Sequence, residues 1–470
     1  MAGIGAAALV ELLAGWRSGG SAQRQLAATI RALVLDGRLP LESRVPAERD
    51  LAGALGVSRS TVTAAYDQLR RDGYLASRQG AGSWIAFPGG HRAATDADVP
   101  ARGLDLRIAA LPAPPELDAL AHDALRELPR WLDHHGYDPL GLPPLREAIA
   151  RRFTDRGLPT RKEQILVTSG ALQALDLIVR ATFRRGRLAI AELPSYPSAL
   201  DLLRLAGARI RGLPVGPDGW QLDHLDLHGG QPAALSYLIP DFQNPTGSLA
   251  DAASRRRAVR LLEREGGHVV IDEAFADLAL DPVELPPPAA AYGGLRTLTV
   301  GSLSKPVWGG LRIGWVRADP ALVRRVAAVR ATTDMASPVL EQLVAVSVFE
   351  SLEAILAGRR EMLRERREAL MLALERFAPD WRYSQPNGGL FLWVELPRPI
   401  STSLSVRAHE LGVHVTPGPR FGAAGLLDRY LRLPFTLPPE QLRAAVETLA
   451  TAAGEVGGRQ SEQFEPAYAA

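Results

Sequence analysis

Fifty-four basic residues include only two lysines, Lys162 and Lys305. Lys305 closes the run Ser302-Leu303-Ser304-Lys305, and Gly309-Gly310-Leu311-Arg312 follows it. A primary amine can lose its proton and form an imine with an aldehyde, which a guanidinium does not do in a protein. The plainer alternative is a surface lysine, and other polar residues decide between the two. Ser169-Gly170-Ala171 opens a helical pattern, where backbone N–H groups and the helix dipole attract an anion such as a phosphate. Asp272 ends an apolar run. It is either a solvated loop residue or the partner of a buried cation such as a protonated pyridine nitrogen. Asn244 sits in the turn Asp241-Phe242-Gln243-Asn244-Pro245-Thr246-Gly247 and can donate its amide to a phenolate oxygen. Arg312 can add a bidentate charge to a phosphate. Imine-forming lysine, pyridinium partner, phenolate donor and phosphate grip are together what a pyridoxal phosphate site needs.

These residues need a frame. Ile165–Thr168, Leu188–Ala191, Ala234–Leu238, His268–Ile271 and Thr297–Val300 read as strands separated by helical patterns. That alternation predicts an α/β unit with a mostly parallel sheet over residues 104–455. Ligands of such sheets bind beyond the carboxyl ends of the strands, so the polar tails should converge.

Residues 1–87 read differently. Helical spacing over Gln23–Val34 ends at Gly37, and a second helix starts at Pro46 and buries Leu51, Ala54 and Leu55. After Gly56-Val57, Ser58 caps a third helix that Gly73 stops. Tyr74–Arg78 and Ser83–Phe87 then form strands around the Gly80 turn. This order is that of a winged helix-turn-helix, whose third helix enters the major groove of double-stranded DNA. Its first residues, Ser58, Arg59, Ser60, Thr61 and Thr63, suit phosphate and base-edge contacts, Arg49 can hold a phosphate, and the Gly80 tip can approach the minor groove. Ten Arg against seven acidic residues in 1–88 is too small an excess to argue binding by itself.

Residues 88–103 carry Pro and Gly without apolar periodicity and read as a linker, and 456–470 read as a disordered tail. The apolar content of 46% suits a chain with a core, and the absence of cysteine excludes disulfide and thiol chemistry. Met1–Trp16 lacks a basic start and is broken by Glu11, so a short helix is expected there and not a signal peptide. No long uncharged apolar run offers a membrane span, and a cytoplasmic location is expected.

Two resemblances sharpen this. Val45-Pro46-Ala47-Glu48-Arg49-Asp50-Leu51-Ala52 and Gly56-Val57-Ser58-Arg59-Ser60-Thr61-Val62 resemble the GntR-type winged helix. The strand-end pattern across about 350 residues resembles fold-type I aminotransferases, with a smaller C-terminal α/β subdomain. That resemblance implies roles. Ser169, Gly170 and Ala171 fit the phosphate loop, Tyr196 the aromatic stacked on the cofactor ring, and Asn244 and Asp272 the ring-oxygen and ring-nitrogen partners. Lys305 fits the imine-forming lysine, with Ser302 and Arg312 on the phosphate. Tyr137 is similar to the tyrosine given to a neighbouring subunit's phosphate, which implies a homodimer, and Arg432 to the arginine that binds a substrate carboxylate. In Asp272-Glu273-Ala274-Phe275 the last residue departs from the usual tyrosine. The loss of that hydroxyl puts efficient transamination in question. The order of units resembles the MocR subgroup of GntR regulators. It implies a pyridoxal-phosphate-dependent transcription factor sensing an amine, an amino acid or the cofactor itself. The alternative is a working aminotransferase with an accessory DNA-binding domain.

Overall fold

The computed structural model describes residues 4–13, 16, 21–35, 39, 43–78, 82–86, 103–216, 219–224, 232–422 and 427–461. Gly37, Gly80, nearly all of the expected linker and the end of the tail lie outside these residues.

The first unit contains α1 (Ala6–Leu12), α2 (Ala22–Leu35), α3 (Glu48–Leu55) and α4 (Arg59–Arg71), then the antiparallel hairpin β1 (Leu75–Arg78) and β2 (Gly82–Ile85). One core joins them, built on Leu26, Ile30, Leu51, Val62, Tyr66, Leu69 and Ile85. α3 starts at Glu48 and not at Pro46, whose carbonyl accepts the Tyr66 hydroxyl at 3.1 Å. Ala52, not Ala54, joins Leu51 inside. Gly56 ends α3 with φ +65°, a left-handed conformation that glycine adopts without strain.

The chain continues through β3 (Leu104–Asp105), α5 (Leu117–Glu127) and α6 (Pro143–Asp155) into an eight-stranded sheet. Its strands are β4 (Ile165–Thr168), β5 (Leu188–Leu193), β6 (Arg209–Gly216), β7 (Gly219–Trp220), β8 (Ala233–Leu238), β9 (His268–Asp272), β10 (Thr297–Ser302) and β11 (Gly314–Arg317). The order is β4-β11-β10-β9-β8-β5-β6-β7, with parallel pairing from β10 to β6. β4 shows how the sheet divides the core. Ile165 and Val167 face α6 and α11 (Val339–Glu350), while Leu166 faces α7 (Ala171–Thr182) and α10 (Pro320–Arg330). α8 (Pro197–Leu205) lies on the α7 side, and α9 (Ala252–Arg264) covers the β5–β9 region on the other.

The long α12 (Leu352–Phe377) leads to a smaller antiparallel sheet of β12 (Arg382–Tyr383), β13 (Phe391–Glu395), β16 (Tyr430–Pro434) and β15 (Thr416–Pro417). α13 (Ser401–Glu410) and α14 (Pro439–Ser461) pack on it, and α14 runs past residue 455, where a tail was expected. β14 (Val413–His414) pairs in parallel with β3, so the segment that follows the linker joins the small subdomain. Among the described residues, no helix is long and apolar enough to cross a membrane.

Candidate functional site

The carboxyl ends of β4, β8, β9 and β10 open on one cavity of about 530 Å³. Gly170, Ala171, Tyr196, Asn244, Asp272, Ser302, Lys305, Arg312 and Arg432 all line it. Asp272 and Ser302 are the last residues of β9 and β10, so the strands run on through the polar residues that end the apolar runs. Lys305 stands three residues beyond β10, and its Nζ donates to the Ala109 carbonyl at 2.8 Å. Ser302 Oγ lies 3.0 Å from the Ile313 carbonyl and accepts the Ser304 N–H at 3.0 Å, which holds the turn that carries the lysine. Ser304 also lines the cavity, although nothing in the sequence singled it out.

The anion end is built by register. Ser302, Gly314 and Thr168 lie in one row across β10, β11 and β4. A Cβ on Gly314 would stand 2.5 Å from the Gly170 carbonyl carbon, so glycine lets β11 close against the loop before α7. Arg312, in the left-handed region at φ +51°, donates through Nη2 to the Ser169 carbonyl. The Ser169 N–H itself donates to Gln173 Oε1 at 2.6 Å. Ser169 itself is not among the residues that line the cavity, its backbone being taken up by Gln173 and Arg312, while Gly170 and Ala171 do line it.

Asp272 is held from behind. Tyr237 donates its hydroxyl to Oδ2 at 2.6 Å, and the Ala274 N–H donates to Oδ1 at 2.9 Å. Tyr237 lies inside the apolar run that Leu238 completes, so its position in the sequence does not mark it as a site residue. A tyrosine inside a buried strand needs a hydrogen-bond partner, and that was the available signal. Asn244 rides on a turn fixed by the buried pair Arg255 Nη2–Asp241 Oδ1 at 2.7 Å and by Gln243, which donates to Glu192 Oε2 at 2.9 Å. Arg432 Nη1 reaches Asn244 Oδ1 at 3.4 Å, and Nη2 donates to the Arg107 carbonyl. Its guanidinium lies 5.1 Å and 5.5 Å from the ring centres of Phe421 and Phe391. Phe275 is buried edge-on against Phe391 and presents its ring 6.0 Å from Lys305 Nζ.

Burial sets the charges. It lowers the Lys305 amine to about 8, with Arg432 adding to the effect and Asp272 opposing it. It draws Arg432 down to about 10, still charged near neutrality. Burial raises the Asp272 carboxyl, against the hydrogen bonds from Tyr237 and Ala274 and the charge of Lys305. Glu192, wholly buried, is pushed up to about 8. Asp272, the buried carboxylate of the lining, gains most from a cationic partner inside the cavity.

Tyr137 is not brought to this cavity by its own chain. It is 58% exposed and stacks loosely on His135. In the first unit, Ser58 Oγ accepts the Thr61 N–H at 3.2 Å and lies 2.8 Å from the Ser60 and Thr61 hydroxyls, forming a polar cluster at the start of α4. Thr63 donates to Glu48 Oε2 at 2.8 Å, so its hydroxyl ties α4 to α3. Arg59 is exposed, and Arg49 is 85% exposed beside Asp50. Arg70 reaches Glu48, Ser77 and Ser83 and so holds the hairpin on α4, a role the sequence did not reveal.

The family described as aminotransferase class I and II matches residues 128–449. The chain belongs to that family. The family described as bacterial regulatory proteins, gntR family, matches residues 22–85, and the fusion of the two is the organisation of MocR-type regulators. YisV of Bacillus subtilis, an HTH-type transcriptional regulator, is 31% identical, over 81% of this chain and 85% of its own. The probable rhizopine catabolism regulatory protein MocR of Rhizobium meliloti is 29% identical, over 84% and 86%. The crystal structure of LysN, the α-aminoadipate aminotransferase of Thermus thermophilus, superposes with a TM-score of 0.70 at 32% identity, covering 79% of this chain and 96% of that one. LysN was crystallised with N-(5'-phosphopyridoxyl)-L-leucine. Family members of this fold depend on pyridoxal phosphate, and the donor set fits that cofactor. The glycine loop before α7 and Arg312 suit its phosphate, Asp272 its ring nitrogen, Asn244 its ring oxygen and Lys305, its amine lowered by burial, the aldehyde. Arg432 Nε, buried without a partner among the described residues, leaves donor capacity for a ligand.

Proposed function

We propose that the chain is a cytoplasmic, homodimeric transcriptional regulator. Its pyridoxal-phosphate pocket senses an amine or amino-acid effector, or the cofactor itself, and adjusts DNA binding through α4. The single observation that carries the proposal is the joining, in one chain, of a lysine poised for an aldehyde and an exposed polar helix start built for the major groove. When bound, pyridoxal phosphate supplies an electron-withdrawing ring that acidifies an attached amine's α-carbon. The chain's own residues do the rest. Asp272 would hold the ring end and Arg432 would orient a carboxylate, while Phe275 keeps that side of the cavity apolar. Without a hydroxyl at 275, the ring oxygen would have Asn244 as its donor and lack a second hydrogen bond, which puts efficient transamination in question. An effector switches the protein only by binding one arrangement of the dimer better than the other.

The second reading, an active aminotransferase, is favoured by the family match and by the similarity to LysN. A footprint on the DNA upstream of the chain's own reading frame, with and without pyridoxal phosphate and a panel of amino acids, separates the two. Protection that changes with a ligand is expected. Steady multiple turnovers to a keto acid with no specific footprint would replace the regulator reading with the enzyme.

A further inference from the structure

The charged lining of the cavity is unbalanced. Among the described residues, Arg107, Lys305, Arg312, Arg420 and Arg432 face it against the single carboxylate Asp272. Most of these cations have a use. Arg312 stands at the phosphate loop and Arg432 lies buried between two phenyl rings. Lys305 is poised to act without its proton. Arg107 is held by Asp105 through two bonds of 3.0 and 2.8 Å.

Arg420 is different. Its ion pair to Asp201 Oδ2 is 3.2 Å long, and Asp201 is shared with Arg204, which sits nearer at 2.8 Å. Its side chain is one-third exposed, at the rim and not in the core. Yet its backbone is fixed. It lies in the short helical turn Gly418–Phe421, where a Cβ on Gly418 would meet the Leu427 carbonyl at 2.0 Å. The Phe421 carbonyl accepts the Ser195 N–H at 2.8 Å, and the Phe421 ring supports Arg432 at 5.1 Å. The turn therefore places a weakly paired guanidinium beside the residue that beds the buried one.

We infer that Arg420 is a second anion site and that the effector, or substrate, is an amino acid with a carboxylate at each end. This rests on the reading of Arg432 as the first carboxylate site. Arg432 and Arg420 line the same cavity, so a ligand with one carboxylate on Arg432 can offer a second to Arg420. There a charge-assisted bond exchanges the shared Asp201 for a ligand oxygen. Asp201 keeps Arg204 as its partner throughout.

The test uses full-length protein loaded with pyridoxal phosphate and follows the change in its visible absorption band. L-Glutamate and its one-carbon-longer homologue are titrated against L-glutamine, which is isosteric with glutamate and lacks the second charge. At least one diacid should half-saturate at a concentration about tenfold or more below glutamine. Arg420→Gln should bring that ratio close to one, and Arg420→Lys should keep most of it. A ratio near one in the unmodified protein, or an undiminished ratio in Arg420→Gln, overturns the second site alone. A missing band, or a band that no amino acid shifts, overturns the reading of Lys305 and Arg432 and this inference with it.

Discussion

An amine at the bottom of a cation-lined cavity is driven toward its neutral form, and Lys305 shows the size of that push. Burial and Arg432 bring it to about 8 from the ordinary 10.5, so near neutrality a usable fraction is unprotonated. Imine formation needs the neutral amine. The rate of cofactor uptake, followed by the visible band in a pH series, should therefore rise with a midpoint near 8 and level off above it. Arg432→Gln removes a like charge and should move the midpoint upward. A rate still climbing through pH 10 in the unmodified protein would contradict the buried-amine account. Tyr237 makes a second case. Its hydroxyl favours the charged form of Asp272 through a 2.6 Å bond, so Tyr237→Phe should raise that carboxyl further and weaken its hold on a cationic ring nitrogen. Pyridoxal phosphate should bind about tenfold more weakly, roughly the 1.5 kcal/mol of a bond to a charged group, by equilibrium titration. Asp272 was legible because it closes an apolar run, Asn244 because it sits in the proline-glycine turn after one, and Lys305 because it is one of two lysines and stands in a run of small residues. Arg107 and Arg420 were not, because arginine is the default cation where 54 basic residues include two lysines.

Strands and turns place these side chains, and their supports are themselves polar and buried. The turn that carries Asn244 hangs on Arg255, wholly buried, which donates to Asp241 at 2.7 Å and to the Ala250 carbonyl at 2.9 Å. Arg255→Met takes from the buried Asp241 its 2.7 Å ion-pair partner. It should cost about 3–5 kcal/mol in denaturant unfolding and, through Asn244, weaken cofactor binding as well. A loss below about 1 kcal/mol would mean that water or a shifted side chain satisfies Asp241. The apolar runs foretold β4 to its ends and the starts of β5, β9 and β10. They missed β6, where Arg209 and Arg211 flank Ile210 and glycine and proline interrupt the rest, and β11, where glycine, tryptophan and arginine interrupt the pattern. Both strands are defined by their neighbours more than by their own composition. The same dependence moved the inner face of α3 from Ala54 to Ala52, because the buried stripe is set by what α1 and α4 bring against it.

At the scale of the whole molecule, two surfaces must act together. Arg59 stands exposed at the start of α4, and Arg59→Ala should weaken specific operator binding by about 1–3 kcal/mol in a mobility-shift titration. Equal affinity would move the reading surface off this helix. The domain order and the winged helix were legible because caps, glycines and apolar spacing are local signals. The pairing of protomers was not, because a residue serving another chain looks unemployed in its own. Tyr137 is such a residue, 58% exposed and absent from the lining of its own chain's cavity. If it serves the partner's phosphate, two separately defective chains should repair each other. Lys305→Ala and Tyr137→Phe, co-expressed with different tags and purified as the mixed dimer, place both lesions in one pocket and leave the other intact. The mixed dimer should then bind pyridoxal phosphate at one site with unmodified affinity, although neither parent homodimer does. Were Tyr137 to act within its own chain, each pocket of the mixed dimer would carry one lesion and no tight site would appear. Were no stable mixed dimer to form, the homodimer itself would be the proposal to abandon.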